Sequence, residues 1–96
     1  MKPTLEADRL QLLELIAQHD ATAGMYVRVH GDHLILGREA DHETDDRVKL
    51  TKLGPKSYGL SVKRHTGRWE RTPFAGSMTD VVVAVNSFMQ HLVARY

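Results

Sequence analysis

The chain has 96 residues, of which 42% are hydrophobic and 26% are charged, a composition that predicts one folded domain over residues 1–96. It has no cysteine, which excludes disulfides, thiolate metal sites and thiol nucleophiles. Charged residues occur already within Met1 to Glu6, without the long apolar stretch of a signal peptide. No segment approaches the roughly 20 apolar residues of a membrane span. We therefore expect a cytoplasmic protein without a membrane partner.

The net charge of +1 hides an uneven distribution of charge along the chain. Residues 1–46 carry four basic and ten acidic side chains, a net charge of −6. Residues 47–96 carry nine basic and two acidic side chains, a net charge of +7. Such an asymmetry indicates an interaction surface.

The first predicted elements are a helix and a hairpin. Apolar residues recur at helical spacing through residues 4–19, which predicts a helix whose broad apolar face includes Leu10 and Leu12. Residues 25–36 alternate around Gly31-Asp32, which predicts a hairpin with a two-residue turn and His30 opposite His33. One face of this hairpin is then apolar, with Val27, Val29, Leu34 and Leu36.

Residues 39–46 are acidic and contain one apolar side chain, Ala40. A segment without apolar anchors is typical of a mobile surface loop, and we predict a loop here. Whether it folds over the basic residues that follow it is left open by the sequence.

The remaining elements are three strands and a helix. Alternation over residues 47–53, 58–62 and 68–72 predicts strands, and Pro73 is expected to end the last one at a sheet edge. Ser77 and Asp80 have the spacing of a capping box, which predicts a C-terminal helix with apolar residues as far as Tyr96. The predicted fold class is α+β. It is a two-layer α-β-β-β-β-β-α arrangement with an antiparallel meander sheet and both terminal helices packed on its apolar face.

Eight cationic side chains lie between residues 47 and 71, with one acidic side chain, Glu70, among them. Single-stranded nucleic-acid binding needs cations for the phosphates and exposed aromatics for the bases. The candidate residues are Lys49, Lys63, Arg64, Arg68, Trp69 and Arg71. Trp69 joins the polar face if the turn before it has three residues, and faces the helices if it has two. The alternative is a solvated face that is rich in lysine and arginine partly to prevent edge pairing.

In architecture alone, the order of strands followed by a C-terminal helix resembles the Whirly fold of single-stranded-DNA-binding proteins. The resemblance covers the strands and the last helix and implies nucleic-acid binding. No diagnostic motif matches residue by residue and the N-terminal helix does not fit, so no family is assigned.

The C-terminal helix is more apolar than one buried stripe requires. Such a helix is either deeply buried or contacts a second chain. We predict a homodimer or a protein partner on a surface that comprises Phe74, Val83, Phe88, Met89 and Tyr96. Burial in the core of the same chain is the alternative.

No residue pattern indicates catalysis, because nucleophile-elbow and glycine-rich phosphate-loop motifs are absent from the sequence. His30 and His33 face each other across the predicted hairpin, but a metal site needs further ligands that the sequence does not offer. We therefore predict no catalytic residue, no metal and no cofactor. The predicted function is a small non-enzymatic binding module; the alternative is single-stranded nucleic-acid binding through residues 47–71, and an enzyme comes third.

Overall fold

The computed structural model describes residues 5–94. Its elements are α1 (Glu6–Ala17), β1 (Tyr26–His30), β2 (His33–Ala40), β3 (Glu43–Gly54), β4 (Ser57–Lys63), β5 (Trp69–Gly76), α2 (Met78–Phe88) and a 3-10 turn (Gln90–Leu92). The strands form one antiparallel sheet in the order β1-β2-β3-β4-β5. The predicted α+β meander with helices at both ends is therefore confirmed.

The core lies between one face of the sheet and the two helices. Leu12 and Ile16 of α1 and Val81 and Val85 of α2 are at most 2% exposed and belong to one cluster with the apolar strand residues. The strand residues in this cluster are Val27, Leu34, Leu36, Val48, Leu50, Leu60 and Val62. Within residues 5–94, both helices thus pack on this face, and the opposite face carries none.

The first hairpin has the predicted register. His30 lies opposite His33, and Val27 lies opposite Leu36. The apolar face of the hairpin turns toward the helices, although Val29 near its tip is 37% exposed. A slip of one residue would have exposed the buried set, so burial of that set favours the observed pairing.

Helix α1 is shorter than predicted, and its buried apolar face is narrower than predicted. It ends at Ala17, and its predicted first residue, Thr4, lies outside the described residues. Leu12 is fully buried, whereas Leu10 is 52% exposed. The core therefore takes up one side of the helix, and the rest of the predicted face meets solvent.

The prediction of an acidic loop over residues 39–46 is wrong. Strands β2 and β3 extend through this segment and are joined by a two-residue turn at Asp41 and His42, with φ of 52° and 68°. Positive φ at both central residues is typical of a type I′ hairpin turn, and Asp and His adopt it more readily than most residues. Arg28 on β1 pairs with Asp46 at 2.6 Å. The pairing of β2 with β3 places the segment in the sheet, and the Arg28–Asp46 ion pair adds to that pairing.

Strand β5 continues past Pro73 to Gly76, so the predicted stop is wrong. The predicted edge position is confirmed, since β5 ends the strand order. The pairing of β5 with β4 shifts register between Gly59 and Ser61, opposite Pro73. An irregular stretch of an edge strand tolerates a residue without a backbone N–H.

Helix α2 begins with the predicted capping box. The Asp80 N–H donates to the Ser77 hydroxyl at 3.1 Å, and the Ser77 N–H donates to the Asp80 carboxylate at 3.2 Å. The helix ends at Phe88, earlier than the apolar pattern predicts. Beyond it, Val93 is fully buried, and its carbonyl accepts hydrogen bonds from Arg38. Leaving the helix lets the chain make both contacts.

Arg38 is a buried charge that ties three segments together. Its guanidinium donates to the carbonyls of Ala21 at 2.8 Å, Ala23 at 2.7 Å and Val93 at 3.1 Å. These acceptors replace the water that the charge loses on burial. Arg38 thereby joins β2 to the loop after α1 and to the C-terminal segment.

No helix among residues 5–94 is long and apolar enough to cross a membrane.

Candidate nucleic-acid interface

The turn between β4 and β5 determines where Trp69 lies. The Arg64 N–H donates to the Arg68 carbonyl at 2.8 Å, which encloses a three-residue turn over residues 65–67. The last turn residue is a glycine with a φ of 87°, the left-handed position that such turns require. Trp69 therefore pairs with Lys63 on the face opposite the helices. The question that the sequence left open is answered in favour of the polar face.

Four of the six predicted binding residues share this face. Lys49 lies opposite Ser61, and Ser61 lies opposite Arg71. Residues directly opposite each other in a sheet project to the same side. Arg28 joins them, because it lies opposite Ile35, which in turn lies opposite Lys49. We call the surface formed by Arg28, Lys49, Lys63, Trp69 and Arg71 the basic face.

Two lysines hold their ammonium groups over the indole ring of Trp69. The distance to the ring centroid is 4.8 Å for Lys49 Nζ and 6.0 Å for Lys63 Nζ. Lys49 lies on β3, so its side chain crosses β4 past the small Ser61, which is 9% exposed. The ring attracts cations at such distances through its quadrupole. A base that stacked on Trp69 would displace these ammonium groups from the ring, and the two lysines would then lie next to its phosphates.

One carboxylate interrupts the basic face near β1. Asp46 accepts hydrogen bonds from Arg28 at 2.6 Å and from the Tyr26 hydroxyl at 2.5 Å. The bond from Arg28, with help from Tyr26, outweighs burial and holds the pKa of Asp46 below its usual value. Burial and the contact with Asp46 raise the pKa of Tyr26. Asp46 therefore neutralises Arg28 on the β1 side of the basic face, and its charge also interacts with Lys63.

The tyrosine reaches Asp46 by crossing a glycine. Gly37 of β2 lies opposite both Tyr26 and Asp46. A Cβ atom at Gly37 would lie 2.3 Å from the Tyr26 hydroxyl oxygen. Position 37 thus needs glycine for the ring to lie across the strand. The hydrophobic pattern of the sequence contains no signal for this arrangement.

Arg64 and Arg68 do not lie on the basic face. They flank the three-residue turn, and Arg64 pairs with Glu70 at 2.7 Å. Glu70 lies opposite Val62, a core residue, and so projects to the helix side of the sheet. The six predicted residues are therefore divided between the basic face, which has four, and the neighbouring turn, which has two.

His30 and His33 lie on the same face, at the far end of the first hairpin. His33 Nδ1 is 2.9 Å from the Thr51 hydroxyl. Burial, with Lys49 nearby, lowers the pKa of His33. Among residues 5–94, no three His, Asp or Glu side chains are grouped closely enough to hold a metal ion. The two histidines extend the polar surface beyond Lys49.

The predicted partner surface on the C-terminal helix is only partly exposed. Phe88 is 70% exposed and stacks on Phe74, which is 38% exposed, with 6.2 Å between ring centroids. Val83 is 45% exposed, whereas Met89 packs against the core. Tyr96 lies outside the described residues. An apolar patch of two stacked phenylalanines thus remains beside edge strand β5.

Comparisons of the chain with known protein families, with curated proteins and with solved structures find no match. The function is therefore argued from geometry. That geometry is a sheet face with cations around one tryptophan, and it is suited to an extended anionic ligand.

Proposed function

We propose that this protein is a small non-enzymatic module that binds single-stranded nucleic acid across its basic face. The observation that carries the proposal is the position of Trp69, half-buried on an edge strand with the ammonium groups of Lys49 and Lys63 over its ring, where a stacking base would take their place. Stacking of one base on an aromatic side chain contributes about 1–3 kcal/mol, and neighbouring cations bind the phosphates. Trp69 would stack a base, and Lys49, Lys63 and Arg71 would bind the backbone.

A single strand suits this surface better than a duplex. The indole can stack only on a base that is free of its own helical stack. Both helices pack into the core on the opposite face, so neither is placed to enter a groove of a duplex lying on the basic face. We therefore propose a preference for unpaired strands.

The alternative is a solvated sheet face that is rich in lysine and arginine, partly to prevent edge pairing. Prevention of edge pairing does not account for Lys49, because it lies on β3, the central strand. Its ammonium is directed across the sheet to the indole at 4.8 Å. A cation held at the centre of the face supports a role in ligand binding.

Fluorescence titration tests the proposal, because Trp69 is the one tryptophan in the chain. A single-stranded oligonucleotide should quench it at low salt, and a duplex of the same sequence should bind more weakly. The logarithm of the binding constant should fall with the logarithm of salt concentration, by about 0.7 per phosphate contacted. Absence of binding at low salt would refute the proposal.

Variants identify the surface that binds. Lys49→Gln and Lys63→Gln should each weaken binding and flatten the salt dependence, because each removes one phosphate contact. Lys56→Gln is the matched control, since Lys56 is an exposed residue in the turn between β3 and β4. An equal loss in all three variants would show that binding is unspecific to the basic face.

A second proposal concerns self-association. The stacked Phe74 and Phe88 form an exposed apolar pair, and a homodimer would cover it. Light scattering should then show a dimer whose dissociation is promoted by Phe88→Ser. A strict monomer at high protein concentration would exclude this proposal and leave nucleic-acid binding unaffected.

A further inference from the structure

A pocket of about 410 Å³ lies at the end of the sheet, next to the basic face. The start of β3, the turn between β4 and β5 and the 3-10 turn after α2 form its walls. Lys63 lines the pocket and also belongs to the basic face. The other basic side chains in the lining are Arg47, Arg64, His65 and His91.

Two carboxylates line the pocket, and both are ion-paired. Asp45 pairs with Arg47 at 2.9 Å, and Asp46 pairs with Arg28 at 2.6 Å. Arg47 also donates to the Leu92 carbonyl at 3.0 Å and so joins two walls of the pocket. The carboxylates are therefore largely neutralised, and the other basic groups set the local charge.

Lys63 and Arg64 supply that charge, and the two histidines add hydrogen-bond donors. Arg64 pairs with Glu70, but the two side chains are 56% and 53% exposed. Exposed pairs of this kind contribute little and exchange partners easily. The guanidinium can therefore turn to an anion in the pocket without loss of a strong contact.

We propose that this pocket binds the terminal phosphate of a nucleic-acid strand whose bases lie on the basic face, an inference that rests on the function proposed above. A phosphate monoester carries nearly two negative charges and three strong acceptor oxygens, whereas an internal phosphate carries one charge. Ammonium, guanidinium and imidazole N–H groups are the donors that such a group requires. Since Lys63 lines the pocket and its Nζ lies 6.0 Å from the Trp69 ring, a strand whose terminal nucleotide stacks on Trp69 would place its terminal phosphate next to the pocket.

Oligonucleotides that differ only at their ends test the inference. We expect a strand with a terminal phosphate to bind about tenfold more tightly than the same strand with a terminal hydroxyl, the effect of one charge-assisted hydrogen bond. Separate 5′- and 3′-phosphorylated strands show which end is bound. Equal affinity for all three strands would overturn the inference while leaving the proposed function intact.

The double variant Arg64→Gln/His65→Gln assigns the preference to the pocket. Both residues are exposed in the turn, so the fold should be retained, which circular dichroism checks. The ratio of affinities for phosphorylated and unphosphorylated strands should fall to about one, whereas Lys56→Gln should keep the wild-type ratio. An unchanged ratio in the double variant would overturn the assignment.

Mononucleotides separate the pocket from the basic face. If no oligonucleotide binds, the proposed function is wrong. The pocket is then tested separately, by comparing the binding of thymidine monophosphate with that of thymidine. Shifts in the NMR amide signals of His65 and Gly67 with the monophosphate alone would support a phosphate site without nucleic-acid binding. No shift with the 5′- or the 3′-monophosphate would overturn the pocket as well.

Discussion

The ammonium group of Lys49, on the central strand, lies 4.8 Å from the centre of the Trp69 ring, on the edge strand. Ser61 lies between them on β4 and is small enough for the lysine to cross. The contact connects residues 20 positions apart in the sequence and two strands apart in the sheet. It is the central feature of the basic face.

The Lys49–Trp69 contact should stabilise the fold by a measurable amount. A double-mutant cycle with Lys49→Met and Trp69→Leu should give a coupling energy of about 0.5–1 kcal/mol, typical of an exposed cation–π pair. Methionine retains most of the aliphatic stem, so the cycle isolates the charge. Urea unfolding of the four proteins measures the coupling, and a value near zero would show that the lysine does not remain on the ring in solution.

Arg38→Ala should be among the more destabilising substitutions in the chain. It removes the donors that satisfy the carbonyls of Ala21, Ala23 and Val93, and each buried unsatisfied acceptor costs about 1–3 kcal/mol. We expect a total loss of about 3–5 kcal/mol in the free energy of unfolding. Arg38→Lys should lose less, because an ammonium keeps the charge but reaches fewer carbonyls. Arg71→Ala, an exposed control, should change stability by less than about 0.5 kcal/mol.

Stability should fall at both ends of the pH scale because of one contact between α1 and the sheet. The Asp8 carboxylate accepts hydrogen bonds from Lys52 at 2.8 Å and from the Tyr58 hydroxyl. Burial favours a higher pKa for Asp8, but these two bonds outweigh it and lower the pKa below 3.8. Burial and the bond to Asp8 raise the pKa of Tyr58 to about 12.

The signs of these two shifts set the pH windows. The folded state favours ionised Asp8, so its contribution is complete above pH 3.8 and is lost as the pH falls through the lowered pKa. The folded state favours protonated Tyr58, so its contribution is complete below pH 10.0 and is lost as the pH rises to about 12. Urea unfolding across these ranges should show both losses. Asp8→Asn should reduce the loss of stability at low pH and the loss at high pH. If the stability of this variant depended on pH as in the wild type, the assignment of both losses to the Asp8 contact would be wrong.

Gly37→Ala should destabilise the first three strands by about 1–3 kcal/mol, the usual cost of overpacking. The new Cβ atom would lie 2.3 Å from the Tyr26 hydroxyl oxygen and 2.3 Å from the Asp45 carbonyl oxygen. Removing the ring with Tyr26→Ala should not restore stability, because the backbone carbonyl remains. Gly54→Ala is the matched control, since its nearest atom is Ser57 Cβ at 3.9 Å. Thermal unfolding compares the variants, and equal midpoints for both alanine substitutions would refute the argument.

The strands, their faces and the first hairpin could be predicted from the sequence because their signals are local. Alternating side chains assign each strand residue to one face, and a two-residue turn fixes the partner of each residue. The observed pairing of Val27 with Leu36 follows from these rules alone. The Ser77 capping box could also be predicted, because its two hydrogen bonds lie within four residues. The same alternation assigned Lys49 and Lys63 to the polar face, whereas the face of Trp69 and Arg71 depended on the length of the turn before them.

The remaining features depend on contacts between residues far apart in the sequence. Segment 39–46 pairs within the sheet as the end of β2 and the start of β3, and Arg28 and Tyr26 bind Asp46 there, which no local apolar pattern indicates. The helix ends at Phe88, and beyond it the carbonyl of Val93 meets Arg38 from β2.

The side of the sheet on which Trp69 lies depends on the length of one turn. The sequence by itself determined that a tryptophan lies among cations at the end of the chain's basic segment. Only the tertiary structure decided that its ring lies outside the core. If that turn were one residue shorter or longer, every side chain of β5 would lie on the other face of the sheet. The hydrogen bond from the Arg64 N–H to the Arg68 carbonyl shows that the turn has three residues.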